Sequence, residues 1–444
     1  MDHLLAARSQ MAMSLAFHIV FASVGMTMPF FMAVAHARYL KTKDPADLAL
    51  TRMWSKGVAI FFATGAVSGT VLSFELGLLW PKFMELAGPI IGMPFSWEGA
   101  AFFLEAIALG LFLYGWNRLP PRLHWFSGLA VGICGIASGL FVLTANSWMN
   151  HPAGFDWVNG QAINIRPFEA MFHPGWLTTG THMILAAFEA VGFAVAGVHA
   201  YQLLRGRAPK LHSRALAIAL SFGSIAAMLQ PISGDLTAKL TARMQPEKLA
   251  AMELLKTTQA YAPLTLGGWI DKETHEIHGA IEIPGALSFL SFGKFSARVT
   301  GMDEFPASER PPANIVHFAF QIMMGLGSLL ALLGIYSLWR IKKQKVLEWP
   351  RPFLKILVGC TPLGFIALEA GWTVTEVGRQ PWIIYRILRT SDAVTPHPGM
   401  ELRFATFTLL YLFLIWVVVW LMNRQIRSAA HHEISEIAKD SPKS

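Results

Sequence analysis

Trp125-Phe-Ser-Gly-Leu-Ala-Val-Gly-Ile-Cys-Gly-Ile-Ala-Ser-Gly-Leu-Phe-Val-Leu-Thr-Ala-Asn-Ser147 contains no charged side chain. A helix needs about 20 such residues to cross the hydrocarbon core of a bilayer. Eight further stretches share its length and apolar character: 11–36, 55–79, 94–117, 177–203, 214–234, 313–339, 354–377 and 403–423. These runs are long and uniformly apolar, whereas barrel strands alternate over about ten residues. The spacing therefore predicts an all-α, polytopic membrane protein with nine transmembrane helices. They fall into two blocks, 1–234 and 313–423, separated by a long external loop at 235–312 and followed by a polar tail at 424–444. No internal repeat is visible, which gives an inverted-repeat transporter no support.

Composition agrees. Of the 444 residues, 54% are hydrophobic and 14% charged, and the mean hydropathy is +0.44. That balance excludes a disordered chain and an ordinary soluble domain. The net charge of +8 could suggest nucleic acid, but the charges lie between apolar runs rather than on one basic face, so no nucleic-acid partner is expected. Counting each connecting segment together with the two residues just inside the adjoining span ends, 21 Lys and Arg follow helices 1, 3, 5, 7 and 9, against 7 on the opposite side, with the long 235–312 segment left out of the count. Positive charge marks the cytoplasmic side. The N-terminus is expected outside and the C-terminus in the cytoplasm, with the first helix retained rather than removed as a signal peptide. Cys134 and Cys360 both lie in apolar runs, so no disulfide is expected, and no C-x-x-C-H offers covalent haem attachment.

Ionisable groups inside a bilayer are functional candidates. Five stand out: His18 on helix 1, Glu98 and Glu105 on helix 3, His182 on helix 5 and Glu369 on helix 8. With the orientation above, His18, Glu98, His182 and Glu369 share the outer third of the membrane. Glu98 and Glu105 are seven residues apart, so they point within about 20° of each other, two turns deep. Carboxyl groups at that depth can carry protons and suit a relay. Imidazole and thioether are suitable axial ligands for a low-spin haem, and His182 with Met323 or Met324 on helix 7 fits that role. His36, His199 and His317 lie near helix ends, where interfacial solvation is the simpler account. His275 and His278 belong to a solvated loop, and His431 and His432 to the tail. In the loop, Pro246 opens a short helix over 247–260, with Leu249, Met252, Leu254 and Leu255 available to lie on a membrane surface.

Helix 8 ends in Glu369-Ala-Gly-Trp-Thr-Val-Thr-Glu376-Val-Gly-Arg379-Gln-Pro-Trp382. This resembles the E-A-G-W…E-x-G-R-Q-P-W signature of the cytochrome bd-type ubiquinol oxidase subunit I family. It joins a carboxylate able to ligate iron to an outer-surface arginine able to pair with a haem propionate. Supporting similarities are Arg8-Ser-Gln10 and Ala16-Phe-His18 on helix 1 and Trp97-Glu-Gly…Phe-Phe-Leu-Glu105 on helix 3. Others are Ala145-Asn-Ser-Trp-Met149, Thr181-His182, Phe318-Ala-Phe-Gln-Ile-Met323 and Lys248-Leu-Ala-Ala-Met-Glu253. The resemblance covers about 1–260 and 314–423.

It implies three haems near the outer face. His182 and Met323 would ligate a low-spin haem b. His18 and Glu369 would between them ligate a high-spin haem b and a haem d, or a further haem b in its place, in either order. Glu98 would sit at the oxygen-binding iron, with Glu105 and Lys56 on the cytoplasmic proton route and Arg379 beside a haem. Lys248 and Glu253 would engage quinol, either ubiquinol or menaquinol, with Glu253 accepting a proton. Quinol would be oxidised at the outer face, and O2 reduced to water with cytoplasmic protons, generating proton motive force without a pump. The implied setting is a bacterial plasma (inner) membrane, its lipid, and a partner subunit II, with room for a small single-helix subunit.

Four departures are visible. The Glu98–Glu105 interval is one residue shorter than the family pattern, Asn117 stands where many members carry an acid, and Ala106 where a Ser often follows the glutamate. Gln321 replaces an arginine two residues before the ligand methionine, which should lower the haem's potential. The competing readings are a relative with haem b only or a non-quinol electron donor and, more distantly, a non-haem proton-coupled transporter.

Overall fold

The structure is a computed structural model that describes residues 2–271, 273–343 and 348–440, with side chains through 425. Apolar runs become helices because a bilayer leaves backbone groups no partner outside the chain. Among the described residues, nine helical spans are long and apolar enough to cross a membrane. The first four are α1 (His3–Thr42), α2 (Pro45–Leu79), α3 (Pro81–Tyr114) and α4 (Pro121–Asn150). The short α5 (Pro167–Met171) precedes α6 (Trp176–Leu204) and α7 (Pro209–Met244), and the short α8 (Pro246–Met252) and α9 (Ala286–Phe292) lie in the long loop between the sixth and seventh spans. Then come α10 (Ala313–Lys343), α11 (Arg351–Cys360) with α12 (Leu363–Val377) as one broken span, α13 (Thr390–Ala393) and α14 (Met400–Asp440). Proline at the first helical position opens α2, α3, α4, α7 and α8, where a missing N–H costs nothing. Asp44 caps α2 by accepting from the Ala46 amide at 3.0 Å.

The helices run past most expected ends because polar residues continue them beyond the hydrocarbon. The sixth span, expected over 214–234, reaches Met244, while the third stops at Tyr114 rather than 117. Small residues bring the inner helices together. A Cβ added at Gly192 of α6 would lie 2.5 Å from the Gly223 Cα of α7, and one at Gly364 of α12 would lie 2.4 Å from the Ala190 Cα of α6. At one end, Arg214 of α7 binds Asp44 at 2.8 Å and Asp47 at 3.2 Å, tying the α1–α2 turn to α7. Large apolar side chains on α3 and α14, among them Phe103, Ile107, Phe413 and Trp416, face outward. Of the tail, 424–440 continue α14. Residues 441–444, and the side chains of His431 and His432, lie outside the described residues.

The loop is a folded unit. After the β1 (Asp156–Val158) and β2 (Gln161–Ile163) hairpin that follows α4, the loop's strand pairs are β3 (Gln259–Ala260) with β8 (Arg298–Val299), β4 (Leu264–Leu266) with β7 (Ile281–Ile283), and β5 (Trp269–Ile270) with β6 (Ile277–His278). They surround a core containing Leu249, Leu255, Leu287, Val299 and Met302. Two expectations are corrected here. The helix expected over 247–260 ends at Met252, because Leu254 takes a left-handed φ of 51° and residues 259–260 pair as strand. Leu249, Met252, Leu254 and Leu255 are buried, not laid on a membrane surface: Leu249 and Leu255 join the loop's own core, and Met252 packs with Val316 and Phe320 of α10 and Val374 of α12.

Candidate functional site

His18 and His182 sit in the same kind of brace. His18 Nδ1 is 2.9 Å from the Ser68 hydroxyl of α2, and His182 Nδ1 is 2.9 Å from the Ser233 hydroxyl of α7. A ring held through Nδ1 by a neighbouring helix has Nε2 directed away, which is how ligand histidines are oriented. The Gln230 amide lies 3.5 Å from His182 Nε2, at the limit of hydrogen bonding.

Helix α12 draws the rest of this compartment together. Its Trp372 Nε1 donates to the Met183 sulfur at 3.2 Å, next to His182. A Cβ at Gly371 would lie 3.0 Å from the Met323 sulfur, so the missing side chain makes room for that thioether. Met323 is half-buried, whereas Met324 is 52% exposed, so Met323 is the one directed into the bundle. Glu369, two residues before Gly371, has a buried Oε1 without a hydrogen-bond partner. An imidazole, a thioether and an unsatisfied carboxylate on converging helices form a donor set that fits haem iron.

Glu98 accepts from the Ser138 hydroxyl of α4 at 3.3 Å. Glu105 is buried, and a Cβ at Gly135 of α4 would meet its Oε1 at 3.4 Å and the Met26 Cα of α1 at 3.3 Å. Both carboxyl groups thus approach α4, as their seven-residue spacing predicts. Lys56 is exposed on α2, about 18 Å along the helix from Ser68.

A third group joins the C-terminal ends of α4 and α12 to α8. Asn146 Nδ2 donates to Glu376 at 2.7 Å, and Arg379 pairs with Glu376 and donates to the Ile383 carbonyl. Arg379, expected at the surface, is buried, because these partners draw it inward, and its Nε lacks a partner. Lys248 Nζ donates to Asn150 Oδ1 at 2.8 Å, and the Lys248 stem packs on Gly378. Burial, then the Arg379 charge, pulls the Lys248 ammonium down to about 7. Burial pushes the Glu253 carboxyl up to about 7, although the Thr265 amide donates to it at 3.1 Å. One cation and one carboxylate therefore stand ready to exchange protons near neutrality.

The expectation of solvated histidines at helix ends is corrected: His36, His199 and His317 are buried. His199 Nδ1 lies 2.8 Å from His212 Nδ1, and His317 holds the external loop. Glu75 and Glu189 escaped the sequence reading although both lie inside apolar runs, the signal used for the other carboxylates. Glu75 accepts from Gln10 at 2.8 Å, and Glu189 has a buried Oε1 without a partner. Nothing in the sequence marked Asn150, Ser68 or Ser233.

A family model described as "Cytochrome bd terminal oxidase subunit I" matches residues 6–430. A Bacillus subtilis (strain 168) protein provisionally named cytochrome bd menaquinol oxidase subunit I is 36% identical, with 98% of each chain covered. Cytochrome bd-II ubiquinol oxidase subunit 1 of Escherichia coli (strain K12) is 28% identical, covering 95% of this chain and 96% of that one. The solved bd oxidase from Geobacillus thermodenitrificans superposes with a TM-score of 0.90 at 36% identity, covering 96% of this chain and 98% of its own.

Proposed function

Since the chain belongs to the cytochrome bd terminal oxidase subunit I family, we propose that it is the haem-bearing subunit of a quinol:oxygen oxidoreductase in a bacterial plasma membrane. The observation that carries this is the matched brace: His18 and His182 each hold Nδ1 at 2.9 Å from a serine hydroxyl on the adjacent helix. In this reading His182 and Met323 hold a low-spin haem b, while His18 and Glu369 serve a high-spin haem b and a haem d. Haem bound there supplies electron transfer from quinol and the reduction of O2 to water.

The chain's own groups handle substrate and protons. Lys248 binds a quinol oxygen, held in place by Asn150. Glu253 takes the quinol proton and passes it outward. Arg379, fixed by Glu376 and Ile383, offers a fixed positive charge to a haem propionate. Glu105 and then Glu98 hold protons arriving from the cytoplasmic side, where Lys56 lies, on their way to the oxygen site. Proton release outside and uptake inside charge the membrane without a pump. The N-terminus is outside, the C-terminus is cytoplasmic, and a second membrane subunit completes the enzyme.

A dithionite-reduced minus air-oxidised spectrum of the purified complex, with acid–acetone haem extraction, tests this. A chlorin band in the red beside haem b bands supports the full assignment. Haem b alone removes haem d and keeps the oxidase. An assembled protein without haem overturns the proposal.

A further inference from the structure

The external loop is gripped by one face of α10. Asn314 Nδ2 donates to the Ile270 carbonyl and its Oδ1 accepts from the Ile270 amide, both at 2.8 Å. His317 places Nδ1 2.7 Å from the Met252 carbonyl and Nε2 2.9 Å from the Gly267 carbonyl. Gln321 donates to the Thr265 carbonyl at 3.0 Å and accepts from the Gly267 amide at 3.3 Å. Spacings of three and four residues put all three side chains on the same stripe of the helix. Their partners are the last residue of α8 and the chain from β4 to β5, and the Thr265 amide in turn donates to Glu253.

On the reading that Glu253 accepts the quinol proton, we propose that Asn314, His317 and Gln321 are positioning residues. They clamp the external loop to α10 and thereby set where the Glu253 carboxyl stands. They act through Met252, Thr265 and Gly267 rather than on substrate. The chemistry explains a glutamine at 321: its two backbone partners require one donor and one acceptor, which a primary amide supplies and a guanidinium does not. Gln321 is two residues before Met323, so one helix carries both the thioether and the grip on the quinol loop.

The test uses the whole complex with Gln321→Leu, Gln321→Arg and the milder Asn314→Ala. The readouts are quinol KM and kcat, the low-spin haem spectrum, and trypsin cleavage at the exposed Lys256 and Lys294. Losing two ordinary hydrogen bonds predicts a roughly tenfold rise in KM for Gln321→Leu, with a smaller fall in kcat. The haem bands should persist, loop cleavage should quicken, and Gln321→Arg should lie between wild type and Gln321→Leu. Unchanged KM and unchanged cleavage overturn the proposal. So does loss of the low-spin bands with unchanged cleavage, which would make Gln321 a haem-pocket residue. Should the wild-type complex fail to oxidise quinol, the functional reading falls, and the cleavage rates still decide whether α10 clamps the loop.

Discussion

Removing the Asn150 side-chain carbonyl should move the alkaline limit of quinol oxidation. Lys248 Nζ is 2.8 Å from Asn150 Oδ1, and both residues are buried. A hydrogen bond to a charged group contributes about 1.5–3 kcal/mol. At about 1.4 kcal/mol per pH unit, Asn150→Leu lowers the Lys248 ammonium by roughly one to two units from its value of about 7. The direction follows because the mutation removes a hydrogen bond that the charged ammonium makes more strongly than the neutral amine. At neutral pH the charged fraction then falls from about half to between roughly one in ten and one in a hundred. If the ammonium binds quinol, kcat/KM falls in proportion and its alkaline limb shifts toward acid. Asn150→Asp places a carboxylate there and should shift the limb the other way. Quinol-driven oxygen consumption, measured from mild acid to mild base, reads both. An alkaline limb that stays in place in both variants, or moves the same way in both, refutes the role given to Lys248.

Three further outcomes are expected. His182→Ala or Met323→Leu should abolish the low-spin haem spectrum and leave the other haems; a normal low-spin absorbance in both variants would sink the ligand assignment. Glu253→Gln should lower kcat by about 10²–10⁴ and erase the acid limb near pH 7, since the wild-type carboxylate is available only above about 7; a retained acid limb assigns it to another group. Gly192→Val should force α6 and α7 apart, because even its Cβ would lie 2.5 Å from the Gly223 Cα. A penalty of about 1–3 kcal/mol should appear as a lower melting temperature, and an unshifted transition would show that the crossing is loose.

The nine spans were legible because hydrocarbon selects on apolarity alone, whatever each helix packs against. So were Glu98 and Glu105, whose seven-residue spacing directs them to one neighbour. The loop was not legible, because its order rests on pairings such as Leu264 with Ile283 that no local pattern encodes. Leu254 shows the same limit: a left-handed turn is expected of glycine, and here leucine makes it because burial of its side chain in the folded loop outweighs the strain. Arg379 and the end-of-helix histidines were placed too near water for a related reason. A polar side chain in a sequence looks solvated until its partner is known: Arg379 turns back to Glu376 and the Ile383 carbonyl, while His199 meets His212 of α7 and His317 meets the long loop.

The bond between Asn146 and Glu376 joins residues 230 positions apart. A ribosome adding about 5–20 residues per second needs roughly 10–50 s to travel that distance. Throughout that interval the fourth span is already made, while the carboxylate that will accept from Asn146 does not yet exist. This contact therefore forms late in biogenesis, after the eighth span has been made. Until then the bundle stays open on the side where Met183 and Met323 will meet α12. On the reading that His182 and Met323 hold haem, a chain truncated before residue 363 should reach the membrane without retaining haem there.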